Sequence, residues 1–280
     1  MKKWKKKAAA VLCLVCAAIM WHTDTASAQP LEAGKTFKID LDGNGTKESI
    51  KWTEQKKNDK VTVKLYVNGK KLATMSSEYG IYSEVSVVDI SKKDKYKEIY
   101  VQINSDSDCF AKGFGYRYQS KKLKKSFTFD TPAASRLSIL EKQPGDGNVW
   151  FNSEYADSYV MQGYAKQAYK ISSGKLKPVN KTVMNTTDEW RKMGYKSTKT
   201  LDVYTNIGDE TPAFTLSTDD IFHIYKIKSV DYKTLYTGVS YIYVKTDSRK
   251  TGWIKNPKEE IFLGRYDSND EWIPSAYSWG

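Results

Sequence analysis

A short acidic loop carries the strongest chemical signal in this sequence. Side-chain oxygens recur at every second position of the segment 40–44, and a further carboxylate follows at Glu48. A backbone carbonyl, that of Thr46, lies between them. Calcium is bound in proteins by carboxylate, amide and carbonyl oxygens in tight, glycine-containing loops. We therefore predict a structural calcium site whose ligands are Asp40, Asp42, Asn44, Thr46 and Glu48.

The alternative for this loop is a solvated turn without a metal. Four oxygen-bearing side chains and two glycines exceed what a turn requires, which favours the cation. Lys51 stands where helix–loop–helix calcium sensors place a bidentate glutamate, so a sensor of that kind is not expected. Calcium would instead act as a staple in a chain that lacks disulfides.

The N-terminus has the composition of an export signal. Five lysines precede an apolar run at 8–20, and Ala26-Ser27-Ala28 provides the small residues of a cleavage site. We predict a signal peptide over residues 1–28, a mature chain from Gln29 and a secreted protein. The apolar run is too short for a stable membrane span, so no transmembrane segment is expected in the mature form.

The mature chain is expected to be basic and nearly free of cysteine. Residues 1–28 hold five lysines and one aspartate, so their removal lowers the formal charge from +12 to +8. A basic exported protein suits anionic wall polymers, acidic glycans or membrane surfaces, and export argues against nucleic acid. A solvated basic surface with no dedicated partner is the alternative. Cys109 is the only cysteine left, which excludes an intramolecular disulfide.

Residues 36–183 are repetitive. Three hairpins each combine an aromatic-bearing strand, a small polar turn and a Lys-Leu pair, and their leucines lie 51 and 53 positions apart, at Leu72, Leu123 and Leu176. Asn68-Gly69 is a strong hairpin turn and Ser173-Gly174 a weaker one. Another hairpin precedes each of these. Each repeat is therefore predicted to hold four strands over about fifty residues, as a propeller blade does.

The repeat places two further loops in register with the acidic loop. The segment from Asp89 to Glu98 keeps an acid at each end, but lysines replace the fifth-position oxygen and the glycines. A lysine ammonium there would repel a metal or substitute for its charge. The third turn, at 144–148, has Asp146 as its only carboxylate. We predict no calcium in the second loop and no ligand set in the third.

These repeats resemble the secreted calcium-loop repeats of the FG-GAP and VCBS class, whose loop has the form D-x-D-G-[DN]-G-x-x-[DE]. The matching residues are Asp40, Asp42, Asn44 and Glu48, with the Thr46 carbonyl. The resemblance implies an all-β domain of three four-stranded, propeller-blade-like repeats over residues 29–183. Three blades are fewer than the four that normally close a propeller. We expect an open array, or a curled sheet completed by the C-terminal module.

A second module is predicted over residues 200–263. A linker at 184–199 precedes it, with one helical turn capped by Thr187. The module opens with a strand from Leu201 to Tyr204 and closes on an aromatic segment. This order resembles the bacterial SH3-like domain, with matches at Leu201, Val203, Gly252, Trp253 and Ile254. Tyr204 stands where that family often has arginine.

The SH3-like resemblance implies a small barrel that binds the cell wall. Trp253 is the candidate ligand-binding residue. The aromatic tail, 264–280, is expected to pack back on a module, and the alternative is a docking segment.

Candidate catalytic residues are few. The mature chain has one histidine, His223, which excludes histidine-rich zinc sites and leaves no second histidine for acid–base work. Cys109 is flanked by carboxylates, which oppose thiolate formation. A hydrolase would need a pair of carboxylates, and the sequence offers two nearby pairs: Asp106 with Asp108, and Asp219 with Asp220.

These observations favour a non-enzymatic, exported binding protein. The first hypothesis is attachment to peptidoglycan or an anionic wall polymer through the SH3-like module. The second is a protein-interaction module that recruits a partner at the edge of the repeats by strand addition. The third is a carboxylate-dependent hydrolase.

Overall fold

The chain is almost entirely β over the residues that the computed structural model describes, which confirms the all-β prediction. The one helix among these residues is α1, Asp188–Lys192. No helix in this part of the chain is long and apolar enough to cross a membrane. The described residues are 27–78, 80–105, 111–130, 137–155, 163–179, 182–197, 199–229, 239–255, 262–266 and 272–274.

Three four-stranded antiparallel meanders follow one another along residues 36–178. The first is a separate sheet of β2 (Thr36–Ile39), β3 (Glu48–Lys57), β4 (Lys60–Val67) and β5 (Lys70–Glu78). The second consists of β6 (Gly80–Val88), β7 (Glu98–Ser105), β8 (Ala111–Gln119) and β9 (Lys122–Asp130). The third consists of β10 (Leu137–Ile139), β11 (Asn148–Tyr155), β12 (Gly163–Ser172) and β13 (Lys175–Pro178).

The second and third meanders share one nine-stranded sheet, which curls into half a barrel. Its order is β1-β6-β7-β8-β9-β13-β12-β11-β10, where β1 is Gln29–Leu31. Residues just outside its two edge strands are joined, because the Ala28 N–H donates to the Glu141 carbonyl at 2.6 Å. Ala28 belongs to the predicted signal peptide, whose residues 1–26 lie outside the described ranges.

Strand β7 of the nine-stranded sheet is buried on both faces. Strand β4 alternates buried and half-buried residues, and its Val63 and Leu65 belong to the same buried cluster as Ile99 and Val101 of β7. The other face of the sheet carries stacked and edge-to-face rings with centroids 5.4 to 6.5 Å apart, from Tyr100, Phe127, Phe129, Phe151 and Tyr169. Full burial of a phenylalanine, as at Phe127 and Phe151, stabilises a fold by about 1.5–3 kcal/mol.

Each meander contains a hairpin with the same two-residue turn geometry, and the first meander has a second such turn at Asn58-Asp59. Both central residues have positive φ in Asn68-Gly69 (52° and 75°), Ser120-Lys121 (53° and 61°) and Ser173-Gly174 (51° and 71°). Paired left-handed residues define the type I′ turn, which matches the twist of the flanking strands. The turns predicted at Asn68-Gly69 and Ser173-Gly174 are confirmed.

Replacement of Ser120-Lys121 by Asn-Gly should stabilise the protein. Lys121 is exposed and holds a left-handed conformation that costs an L residue about 1–2 kcal/mol and costs glycine little. We expect the double variant to raise the free energy of unfolding by about 1 kcal/mol in urea titration. Ser173→Asn, in a turn that already has its glycine, is the control and should change it much less. An unchanged or lower value in the double variant would contradict the prediction.

The C-terminal part forms a second, seven-stranded sheet in the order β20-β19-β18-β15-β21-β22, with β14 also paired to β18. Its strands are β14 (Val183–Asn185), β15 (Gly194–Ser197), β18 (Phe222–Ser229), β19 (Val239–Thr246), β20 (Thr251–Lys255), β21 (Phe262–Tyr266) and β22 (Trp272–Pro274). A two-stranded sheet lies beside it, of β16 (Leu201–Val203) and β17 (Phe214–Leu216).

The segment 184–199, expected to be a linker, is built into this sheet. It supplies most of β14, all of α1 and β15, and the core residue Trp190, which is 1% exposed. Thr187 caps α1 as predicted, because its Oγ1 accepts from the Trp190 N–H at 3.3 Å. The described parts of the tail also join the sheet, as β21 and β22.

The first and last strands of the predicted SH3-like module meet. Tyr204 and Trp253 exchange two backbone hydrogen bonds, of 2.9 and 2.7 Å. Gly252 is required at this crossing, because a β-carbon there would lie 2.5 Å from Cγ1 of Val203. The matched segments therefore lie side by side.

Candidate metal centre

The acidic loop between β2 and β3 brings three carboxylates together. Oxygens of Asp40, Asp42 and Glu48 lie within 4.8 Å of one another, and no other trio of potential metal-binding side chains does so in the described part of the chain. Glu48 is only 5% exposed. Of the two other predicted ligands, Asn44 turns its Oδ1 to the Thr46 N–H at 2.7 Å, inside the same loop.

Backbone hydrogen bonds to these carboxylates shape the loop. Asp40 accepts from the N–H groups of Asn44 and Gly45, at 3.2 and 2.9 Å. Glu48 accepts from the Leu41 N–H at 2.9 Å, and the Leu41 side chain is fully buried in the core. The buried Leu41 side chain thus anchors the loop, and backbone N–H groups of the loop donate hydrogen bonds to its carboxylates.

The arrangement fits a hard divalent cation. Each carboxylate can accept about four hydrogen bonds or metal contacts, so oxygen lone pairs remain beyond those that the backbone uses. Two like charges about 4 Å apart repel by roughly 4 kcal/mol near a protein surface, and a divalent cation offsets that repulsion. The donor set, all oxygen and mostly carboxylate, is of the type that calcium takes.

Three equivalent loops stack at this end of the sheets. We name residues 40–47 the first loop, 89–97 the second loop and 140–147 the third loop. The Lys97 N–H donates to the Leu41 carbonyl at 2.9 Å, which joins the first two. The Gly147 N–H donates to the Ile90 carbonyl at 2.9 Å, which joins the last two. The three loops therefore form one layer.

The second loop holds an arginine among its acids. Arg117 projects from β8, where it is the cross-strand partner of Glu98. Its Nε donates to Glu98 at 2.8 Å, and its Nη2 lies 3.2 Å from a carboxylate oxygen of Asp94. Arg117, which lies outside the loop, thus contacts Glu98 and Asp94. The charges of Lys97 and Lys92 within the loop act on Asp89.

Glu98 is a buried acid with an altered proton affinity. Burial raises the pKa of Glu98 from its ordinary 4.5 to about 7, and the Arg117 hydrogen bond and charge offset only part of that effect. Because the folded state binds this proton more tightly than the unfolded state, the stabilisation due to Glu98 is present below pH 4.5. It is lost as the pH rises towards 7.

Glu98→Gln should flatten the pH dependence of stability. Between pH 4.5 and 7 the parent protein should lose up to about 3 kcal/mol that the variant does not lose, at about 1.4 kcal/mol per unit of pKa difference. Urea unfolding at a series of pH values measures this difference. Glu78→Gln, which removes an exposed acid paired with Lys60, is the control and should follow the parent. Equal slopes for the parent and Glu98→Gln would refute the prediction.

The third loop has its carboxylate engaged. Asp146 accepts from the Asn148 N–H at 2.9 Å and from the Trp150 indole N–H at 3.2 Å. Burial raises the pKa of Asp146, but these hydrogen bonds outweigh it and leave the pKa below its ordinary value. The described acids of this loop do not form a ligand set.

Trp253 lies on a second candidate surface, the outer face of β18, β19 and β20. Cross-strand pairing aligns Lys226, Tyr243 and Trp253 in one row, and Lys228, Tyr241 and Lys255 in the next. We call this surface the lysine–aromatic face and include Lys245, which is on the same side of β19. Trp253 is half-buried and meets the Tyr243 ring edge-on at 5.1 Å.

The remaining candidates do not assemble a catalytic group in the described residues. His223 lies 3.2 Å from an exposed carboxylate of Asp247. Asp220 accepts from the N–H and hydroxyl of Ser217, and it and Asp219 are exposed. Asp106, Asp108 and Cys109 lie outside the described ranges.

A scan against models of known protein families and a search of curated proteins found no match. The FG-GAP/VCBS-like and SH3-like assignments thus stay predictions.

Sequence reasoning missed Arg117 and the lysines around Trp253. The second of these had a sequence signal: Tyr225-Lys226-Ile227-Lys228 and Tyr241-Ile242-Tyr243-Val244-Lys245 alternate apolar and basic or aromatic residues. This period places the polar set on one face of a strand.

Proposed function

We propose that this is an exported, non-catalytic protein that binds an anionic polymer of the cell envelope through its lysine–aromatic face. The observation that carries the proposal is the composition of three adjacent strands. Strands β18, β19 and β20 contain no acidic residue and four lysines, interleaved with tyrosines and Trp253. Such a face attracts a chain of negative charges.

The lysines of this face are held in place by rings. The Lys226 ammonium lies 5.1 Å from the Tyr243 ring centroid, and the Lys228 ammonium lies 5.4 Å from that of Tyr241. Contacts of this kind contribute about 0.5–1 kcal/mol at exposed sites. They reduce the entropy that binding would cost. The ring of Trp253 offers an apolar surface on which a sugar or a polymer backbone can lie.

Neighbouring strands of a sheet are about 4.8 Å apart, so the lysines of β18 and β19 can meet successive charges of one polymer chain. A repeating anion gains from several weak contacts at once, because each later contact forms within the same complex. This favours a polyanion over a single small anion.

The fold that we propose for this function has three blade-like repeats with an SH3-like module after them, and calcium in the first loop. Its support is the set of three meanders, the stacked loops, and the pairing of Tyr204 with Trp253. Asp40, Asp42 and Glu48 would hold the ion, which supplies charge neutralisation and a cross-link within the loop.

Retention on purified wall sacculi tests the proposed binding. A triple variant of the lysine–aromatic face should weaken retention about tenfold, which is equivalent to about 1.4 kcal/mol. It combines Lys226→Gln, Lys228→Gln and Lys245→Gln. The matched control also removes three positive charges, from the hairpin of β8 and β9: Lys121→Gln, Lys122→Gln and Lys125→Gln. It should change retention much less.

Two outcomes would count against the proposal. One is an equal loss of retention in both triple variants, because net charge alone would then explain binding to the wall. The other is undiminished retention on sacculi from which the anionic polymers have been stripped. Binding to the intact wall should also fall with added salt, because the contacts are ionic.

A further inference from the structure

The first and second loops have the same plan. Asp40 precedes the buried Leu41 in the first loop, and Asp89 precedes the buried Ile90 in the second. Each loop is followed by a buried glutamate that opens the next strand, Glu48 in β3 and Glu98 in β7, and these are 5% and 1% exposed. The two loops therefore present acids at the same two positions.

The loops differ in what lies among the acids. In the first loop three carboxylates converge within 4.8 Å. In the second loop the guanidinium of Arg117 contacts Glu98 and Asp94 and lies over the Tyr96 ring, 5.0 Å from its centroid. A planar guanidinium forms directed hydrogen bonds to carboxylates, whereas a metal ion draws oxygens around a point.

Two carboxylate oxygens, one in the second loop and one in the glutamate that follows it, are buried and accept no hydrogen bond in the described structure. They are Oε2 of Glu98 and Oδ1 of Asp89. A buried carboxylate oxygen without a partner is costly, and it is the kind of group that a hard cation satisfies. The guanidinium of Arg117 donates to Oε1 of Glu98 and leaves Oε2 without a hydrogen-bond partner.

We propose that the second loop supplies the acids of a divalent-cation site and that the guanidinium of Arg117 occupies the position of the metal ion. The site would bind a cation only when this guanidinium is removed. Its ligands after removal of the guanidinium would be Asp89, Asp94 and Glu98. The cation would then be a hard, oxygen-seeking ion such as calcium. Asp94 and Glu98 both contact the guanidinium, and the charges of Asp89 and Asp94 both act on Glu98, so the three acids lie near one another.

The experiment uses a background in which the first loop should lose most of its calcium response. Asp42→Asn removes one charge from that loop while its oxygen can still accept from the Asn44 N–H. In this background Arg117→Gln should lower the melting temperature in EDTA, and calcium chloride should recover several degrees of the loss. Arg117→Lys keeps the charge and should show no recovery. Calorimetry should detect one more calcium site in Asp42→Asn/Arg117→Gln than in Asp42→Asn.

Each outcome decides the proposal. A loss of stability that calcium does not recover overturns it, and so does an equal calcium response in the Arg117→Gln and Arg117→Lys variants. If Arg117→Gln is unfolded in EDTA, folding on addition of calcium supports the proposal, whereas an unfolded chain in both buffers overturns it. The result does not depend on calcium in the first loop, because every variant compared carries Asp42→Asn.

Discussion

Calcium should raise the melting temperature of the mature protein by about 5–10 °C. A ligand at one hundred times its dissociation constant stabilises the folded state by about 2.7 kcal/mol. For a chain of this size each kcal/mol corresponds to about 2–4 °C. The stabilisation should come from the first loop, because Asp40, Asp42 and Glu48 are the carboxylates that converge there. Differential scanning calorimetry with and without EDTA measures the shift.

Asp42→Asn should abolish most of this shift. The variant loses one charge and one strong ligand, and its amide oxygen can still accept from the Asn44 N–H, so the loop is expected to fold. Asp59→Asn is the control, since it removes an exposed acid from the turn between β3 and β4. A calcium response that survives in Asp42→Asn, or no response in the parent protein, would exclude the proposed site.

Gly43→Ala should be the more damaging of the two glycine-to-alanine changes in the first loop. Gly43 has a φ of +63°, and a β-carbon there would lie 2.5 Å from the backbone oxygen of Lys95 in the second loop. Left-handed strain costs about 1–2 kcal/mol, and displacement of a backbone group adds to it. We expect a loss of about 3 kcal/mol in urea unfolding.

Gly45→Ala separates the two causes of that loss. Gly45 also has a positive φ, of +84°, but a β-carbon there would have no atom within 4 Å. This variant should lose only the strain term, about 1–2 kcal/mol. Equal losses in the two variants would mean that the contact between the first and second loops contributes nothing.

The loop layer links the candidate metal centre to the rest of the fold. Gly43 packs against the backbone of Lys95, and Gly145 of the third loop packs against the side chain of Lys92. A cation in the first loop would therefore support the second loop as well as its own hairpin. Arg117, on strand β8, contacts the acid at the end of the second loop by donating a hydrogen bond to Glu98. Charge compensation and loop packing thus occur in one layer.

Features that depend on neighbours in the chain could be predicted from the sequence. The spacing of Asp40, Asp42 and Glu48 places three acids around one turn, and the structure brings them together. Asn68-Gly69 selects a type I′ turn because both residues tolerate positive φ. Thr187 caps α1 because its hydroxyl can reach an N–H three residues on. Strand periodicity likewise indicated an all-β chain.

Tertiary structure alone decided which distant groups meet. Arg117 reaches Glu98 because the register of β7 and β8 sets them opposite each other, and a shift of one residue would turn Arg117 to the other face. The segment 184–199 looked like a linker because its apolar residues are few and scattered, yet Trp190 fills a core position that strands from several parts of the chain create.

The sequence by itself thus determined the acidic loop, its hairpin and the strand content, because spacing along a chain governs local geometry. Only the tertiary structure decided that the first loop is joined to the second loop and the second to the third, that Arg117 lies among the acids of the second loop, and that lysines share a face with Trp253. These contacts join residues far apart in sequence, and their formation depends on how sheets pair and pack.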